Sequence, residues 1–322
     1  MNFLSRPAVV LAALFMSGTA LAQTFPERPI RMIVPLPPGT ASDFLARTVG
    51  AVLAEQYGQQ VVVDNRPGAG GLIGSGIVAK ASPDGYTYAM IAPPHTVAAL
   101  LQKEPPYHPL RDFTMVTEVA SIPNILAVTP GLPVKNVKEF VALLQKDPGK
   151  YNFATVGVGT LAHIAAEIFN QAAGVKTIHV PFKLVPDLFS ETASGRVHYT
   201  LLTVPTAAPV VRDGRLRALA VTSAKRNPAF PNLPSIVEEG LPAAQSDGWF
   251  GIVGPARMPK KIAAQLAADV HKVIVQPRIK EAFARQGAEA AVDSGPEAFD
   301  RLMSAEYKRY VKLVKDVGMK VQ

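Results

Sequence analysis

The chain has 322 residues, no cysteine and a formal net charge of +8. Without cysteine it makes neither disulfides nor thiolate metal centres, so it must be held together by core burial, which this length allows for two packed domains. Lys and Arg are scattered among acids, as in Lys308-Arg309, Lys312 and Lys315-Asp316, with no basic run interleaved with aromatics. That pattern argues against a nucleic-acid partner and describes a solvated basic face that attracts anions.

Met1 to Ala22 carries Arg6, an apolar run from Ala8 to Phe15 and the small-x-small triplet Ala20-Leu21-Ala22. It reads as a secretory signal peptide cleaved after Ala22. No later stretch is long and apolar enough to span a bilayer, so the mature chain is expected to be soluble and exported.

The first predicted strand is 29–34, followed by a Pro37-Pro38-Gly39 turn and a helix over 43–57 with Ser42 or Asp43 as N-cap. A second strand at 60–64 precedes a loop, Asn65-Arg66-Pro67-Gly68-Ala69-Gly70-Gly71, and a helix of small residues through Ala79. A third strand spans 86–91, and the proline-punctuated 92–109 is loop and short helix. Alternation of strand and helix predicts a parallel sheet covered by helices.

Further strands are expected at 124–130, 151–155, 177–182, 197–202 and 216–222. Helices are expected at 136–145, with Asn136 as N-cap, and at 160–172, 187–193 and 207–213. Residues 226–242 are proline-rich and irregular, 248–254 is a strand leading back, and the remainder is mainly helical, with Ile262, Leu266, Val270 and Val273 at helical spacing.

Two stretches share one design. In the first, strand, Pro38-Gly39-Thr40 and helix follow directly; in the second, Thr155-Val-Gly157-Val-Gly159-Thr160 separates a strand from the helix bearing His163. A strand–turn–helix of this kind leaves backbone N–H groups and the positive end of a helix dipole at one spot, which attracts an anion. Two such turns, one per lobe, suit a small acid held between them.

Competing motifs fail. Gly157-Val-Gly-Thr-Leu-Ala162 fits G-x-G-x-x-A, but no acidic residue stands about 20 positions on, where the next strand gives His179-Val-Pro-Phe. There is no Gly-Lys-Ser/Thr and no Gly-x-Ser-x-Gly, and His95, His108, His163, His179, His198 and His271 are too far apart for metal-ligand spacing. No cofactor and no metal are expected.

The motifs together resemble the Bug family of periplasmic solute-binding proteins, the receptors of tripartite tricarboxylate transporters. The likeness runs from about Phe25 to Val321. It rests on Arg28-Pro-Ile-Arg-Met-Ile-Val-Pro35, Pro38-Gly39 with Asp43 and Ala46-Arg47, Val62 to Gly71, Pro83-Asp-Gly-Tyr86, Gly157-Val-Gly-Thr160 with His163, His179-Val-Pro-Phe-Lys183, Gly214 to Thr222, Trp249 and Pro255. The resemblance implies an α/β, two-lobed periplasmic binding protein of type II, a Venus flytrap with its ligand cleft between lobes. It also implies that 38–43 and 155–160 clamp a ligand carboxylate, partly through water.

Departures from the family pattern are Leu36 in place of an aromatic, Thr40 in place of a second glycine, Leu184-Val185-Pro186 in place of glycine and small residues, and His198 in place of an acid. They point to a narrower, more apolar pocket and to an apolar or aromatic acid rather than citrate.

The expected organisation is a signal peptide at 1–22, lobe 1 from 23–123 plus 250–322, lobe 2 from 124–225, and an irregular connection and hinge at 226–249. Candidate ligand-binding residues are Pro38, Gly39, Thr40, Ser42 and Asp43 on one side, with Thr155, Gly157, Gly159, Thr160 and His163 on the other; His95, Phe182 and Thr203 are candidate pocket walls. The chain is read as a monomeric, non-enzymatic receptor for an amino acid, dicarboxylate or aromatic acid, with membrane transporter subunits as partners. Alternatives are an exported enzyme acting on carboxylates in the cleft, which would need a nucleophile–base pair the sequence does not display, and a sensing subunit for a signalling kinase.

Overall fold

A computed structural model describes residues 25–320; the signal-peptide reading falls outside the described residues. The first lobe opens with β1 (Ile30–Val34), α1 (Ala41–Tyr57), β2 (Val61–Asn65), α2 (Leu72–Ala79), β3 (Thr87–Ile91), α3 (Pro94–Leu100) and β4 (Phe113–Ile122). After Pro123 alone, the chain enters the second lobe: β5 (Asn124–Val128), α4 (Val137–Lys146), β6 (Asn152–Thr155), α5 (Leu161–Ala173), β7 (Ile178–Pro181), α6 (Val185–Ala193), β8 (Tyr199–Thr203), α7 (Val204–Arg212) and β9 (Arg217–Val221). It returns through β10 (Gly248–Pro255) to α8 (Lys260–Ile274), α9 (Pro277–Arg285), β11 (Glu289–Ala290) and α10 (Pro296–Val317).

The first sheet has the order β11-β4-β10-β3-β1-β2. Only β2, β1 and β3 are parallel; β10 runs antiparallel to both β3 and β4. The expectation of a parallel sheet is therefore corrected to a mixed one. A strand returning from the other lobe can slot between β3 and β4 from the opposite direction without a crossover helix. The strand β4 was not expected at all. Thr114, Thr117, Glu118 and Ser121 interrupt its apolar run, yet the strand is buried along most of its length.

The second sheet has the order β7-β6-β8-β5-β9, with β7, β6 and β8 parallel and β5 antiparallel to its neighbours. Its core joins Phe140 of α4, Phe153 of β6, Phe169 of α5 and Tyr199 of β8. The irregular stretch after β9 packs on this core through Ile236 and Ala244 and is tied by a bridge between Val221 and Ser235.

The two crossings between lobes run side by side. Gly248 pairs with Ile122, and the Asn124 side-chain amide donates to the Ser246 carbonyl at 2.9 Å. Across the same region Ile164 and Ile168 of α5 pack with Val97 of α3 and with Tyr310 and Leu313 of α10. Among the described residues no helix is long and apolar enough to cross a membrane.

Candidate ligand-binding site

In an α/β sheet ligands gather beyond the carboxyl ends of parallel strands. Here β1 ends in the 35–40 turn, β6 in the 156–160 turn, β7 runs into Phe182 and β8 into Thr203.

In the first lobe α1 begins two residues earlier than expected. Thr40, extended at φ −77° and ψ 165°, takes the N-cap position, and Ser42 and Asp43 lie inside the first turn. Gly39 adopts φ +81°, a conformation that disfavours any side chain. Its N–H donates to Asp43 Oδ2 at 3.0 Å, and Thr40 Oγ1 donates to the Pro37 carbonyl at 2.8 Å. The other Asp43 oxygen accepts from Arg47 Nε at 3.0 Å; Arg47 also donates to Asn65 Oδ1 at 2.9 Å, and Asn65 Nδ2 donates to the Leu36 carbonyl at 3.2 Å. Burial pushes the Asp43 carboxyl up, but the Arg47 guanidinium, the Gly39 amide and Asn65 outweigh it and hold the group below its ordinary value. Asp43 thus faces its own turn as an anionic brace. Arg47 and Asn65 belong to that brace and were not among the expected site residues; the signal available for Asn65 was its place at the end of β2, opposite the turn.

Pro38 is exposed on the turn, and Ser42 is fully buried with its hydroxyl unpartnered among the described residues. Pro35, Leu36, Gly70, Gly71, Pro94 and His95 line a small hollow where β1 ends.

The second-lobe turn repeats the glycine and threonine bonds of the first. Gly159 has φ +75°, Thr160 takes the N-cap position at φ −71° and ψ 162°, and Thr160 Oγ1 donates to the Gly157 carbonyl at 2.8 Å. The Gly159 N–H donates to His163 Nδ1 at 3.1 Å, as Gly39 donates to Asp43. Behind it, Gly157 at φ +128° donates to Thr155 Oγ1 at 3.1 Å, and the same hydroxyl lies 2.6 Å from His179 Nε2. His179, stacked on His163 with centroids 4.1 Å apart, is pushed down to about 4 by burial and then by His163. His179 was not an expected site residue; its signal was the position at the end of the strand next to β6.

The remaining candidates fall differently. Phe182 is half-buried and donates its N–H to the Thr155 carbonyl at 2.8 Å, so it borders the second turn. Thr203, at the head of α7, has its hydroxyl 3.0 Å from Thr206 Oγ1 and no bond to either turn. His95 lines the small hollow with Leu36 and Gly71, while most of its ring is sunk in the core. Its ring is 3 % exposed, stacked on Tyr107, with Nδ1 2.9 Å from Ser75 Oγ and Nε2 3.3 Å from the Pro109 carbonyl. Burial pushes it down to about 4, and it serves as a neutral, satisfied core side chain.

The second-lobe turn meets the first lobe at α3. A Cβ on Gly159 would stand 3.4 Å from Leu101 Cδ1 and 3.7 Å from Val97 Cγ1, so the second-lobe turn lies against α3 and the segment that follows it. A wide hollow of about 600 Å³ elsewhere, near Arg212, Leu216 and Phe230, opens along the outer strand β9 away from both turns. The Arg217 guanidinium beside it is already engaged by the carbonyls of Pro130, Leu132 and Val134, and Arg212 lies over the Phe230 ring at 5.2 Å.

A two-lobed α/β binding protein with a strand–turn–helix of matching design on each lobe is the class these features define. The description "Tripartite tricarboxylate transporter family receptor" matches residues 45–319, and the chain belongs to this family. It is 32% identical to Protein BugT of Bordetella pertussis, over 98% of this chain and 97% of that one. It is 35% identical to a UPF0065 protein in the tcbD-tcbE intergenic region of Pseudomonas sp. strain P51, over 93% and 92% of the two chains. Among solved structures it is similar to an R. palustris protein with adipate (TM-score 0.79, 34% identity, covering 92% of this chain and 100% of that one). It is also similar to MatC of Rhodopseudomonas palustris with bound malate (TM-score 0.76, 28% identity, 90% and 100%) and to the periplasmic binding protein BugD (TM-score 0.76, 29% identity, 92% and 100%).

Proposed function

We propose that this chain is a non-enzymatic periplasmic receptor that holds a small organic carboxylate between its two turns and delivers it to membrane subunits of a tripartite transporter. The observation that carries this reading is the repeated bond pattern at Gly39–Asp43 and Gly159–His163. In each turn the glycine amide is taken up internally, which fixes the loop. The first-turn amides of the following helix, Ala41 and Ser42 in one lobe and Leu161 and Ala162 in the other, have no acceptor within their own helix. They are the donors for an anion, with the helix dipole behind them. Similarity to proteins solved with adipate and with malate supports a dicarboxylate-sized acid.

Export would follow cleavage after Ala22, so N-terminal sequencing of the secreted chain should begin at Gln23. The clamp itself is tested by titration with adipate and its diamide, together with small-angle scattering. Charge-assisted bonds are the stronger ones, so the diamide should bind at least about tenfold more weakly. A ligand that bridges both lobes favours the closed arrangement, and the radius of gyration should fall at saturation. Equal affinity for acid and diamide with an unchanged radius would overturn the reading.

A further inference from the structure

The two turns are built alike but braced by opposite chemistry. The residue four places after the glycine is an anionic carboxylate in the first lobe and an imidazole in the second. The next partner one helical turn on is inverted as well: Asp43 pairs with Arg47 at 3.0 Å, whereas His163 Nε2 faces Glu167 Oε1 at 3.6 Å. A carboxylate accepts from an amide whenever it is ionised. An imidazole accepts at Nδ1 only when that nitrogen carries no proton. Accepting from Gly159 therefore requires neutral His163 with its proton on Nε2, directed at Glu167.

Resting on the receptor reading above, we propose that His163 is the positioning residue for the second-lobe clamp, and that its protonation releases the Gly159 turn and weakens ligand binding. An imidazolium would place a second N–H against the Gly159 N–H, two donors 3.1 Å apart with no acceptor between them. Gly159 would then turn away, carrying with it Thr160 and the helix start whose amides face the ligand.

His163 is 4 % exposed, so water offers its ring little compensation. The groups facing it are few. They are Glu167 on its own helix, His179 from β7, stacked on it, and Phe153 of β6, lying parallel at 6.1 Å. Thr155 of β6 ties His179 to the same turn, and apolar Val97 and Leu101 of the first lobe lie against Gly159.

The molecule supplies its own control. At position 43 a side chain whose acceptor is attached to Cγ reaches the glycine amide at 3.0 Å. Asn has an acceptor at the same branch point as His Nδ1 and does not titrate. H163N should therefore keep the turn and lose the proton dependence, whereas H163F should lose both.

Two measurements on the mature chain test this. In the first, nitrogen NMR without ligand follows the His163 ring and the Gly159 amide from pH 8 to pH 4. The expected result is an unprotonated Nδ1 at pH 8 and a Gly159 amide that shifts with the His163 midpoint in the native protein and stays fixed in H163N. A protonated Nδ1 at pH 8, or a Gly159 amide indifferent to His163, would overturn the brace.

In the second, adipate affinity is measured above and below that midpoint. The native protein should lose at least about tenfold more affinity on acidification than H163N, which cancels protonation of adipate itself, and H163F should bind weakly throughout. Equal pH profiles for native protein and H163N would overturn the link to binding. Absence of adipate binding at any pH would count against the receptor reading for this acid and against the coupling proposed for it, while the NMR result still decides the brace.

Discussion

Gly251 and Phe299 meet where no side chain would fit between them: a Cβ on Gly251 would stand 2.1 Å from Phe299 Cζ. The ring belongs to α10, which packs on β4 and reaches over to β10 in the apolar layer around Trp249 and Val253. G251A should therefore destabilise the first lobe, by at least about 2 kcal/mol, because the ring and helix must move to admit one methyl group. Urea unfolding measures it. A change below about 0.5 kcal/mol would mean that α10 can slide without cost.

The glycines of the two turns should respond unequally. Gly39 and Gly159 have nearly the same positive φ, but nothing lies within 4 Å of a Cβ on Gly39, whereas Leu101 and Val97 lie close to one on Gly159. G39A carries backbone strain of roughly 1–2 kcal/mol and should still bind ligand. G159V adds a branched side chain pressed on α3 and should abolish binding while thermal unfolding stays cooperative. Calorimetric titration of both variants checks this; unchanged affinity in G159V would remove this turn from the site.

Asp43 should behave as a brace and not as a titrating ligand group. Its folded carboxyl is held below its ordinary value, so the stability it contributes is present above the unfolded value near pH 4 and is lost as pH falls through the folded one. D43A leaves the Gly39 amide without its acceptor and Arg47 without its ion partner, and should cost about 1–3 kcal/mol of stability at pH 7. D43N keeps an acceptor for Gly39 and should recover part of that loss, with a flatter acid limb. Denaturant unfolding between pH 7 and pH 3 gives the comparison.

Both turns were legible in the sequence because glycine beside threonine at a strand-to-helix junction leaves few other conformations. What the turns do internally was not legible. Asp43 and His163 look alike as polar residues in a first helical turn, and only their distances to Gly39 and Gly159 reveal the shared station. The burial of His95 was not legible, because a histidine near prolines gives no sign of it until Tyr107, Phe113 and Ser75 close around it. The strand β4 was hidden by its polar residues. Thr114 donates to the Pro255 carbonyl and Thr117 to the Glu118 carbonyl, long- and short-range bonds that no periodicity reports.

Glu118 also explains a pH dependence that should be large and of opposite sign to that of Asp43. It lies on β4 beside a hollow of about 510 Å³ that Asp247, Trp249, Glu306 and Arg309 also line, next to the crossing between lobes. Arg309 is already committed, donating to the Gln245 carbonyl at 2.6 Å and facing Glu306 at 3.6 Å. Burial, then the charges of Asp247 and Glu306, push the Glu118 carboxyl up to about 7. Burial pushes Asp247 up to about 6 against hydrogen bonds from Thr222 and Gln245, with the Glu289 charge adding to the rise. Raised carboxyls make the folded state bind more protons than the unfolded one, so stability should fall as pH rises from about 4.5 to 7. E118Q cannot ionise and should escape its own share of that fall, leaving the part due to Asp247. Relative to the native protein it should gain about 2 kcal/mol on going from pH 4.5 to pH 8, a figure reduced from the full shift because the site is partly open to water. Denaturant unfolding of both proteins at the two pH values measures it. The same stability difference at both would mean that Glu118 ionises as freely in the fold as in the unfolded chain.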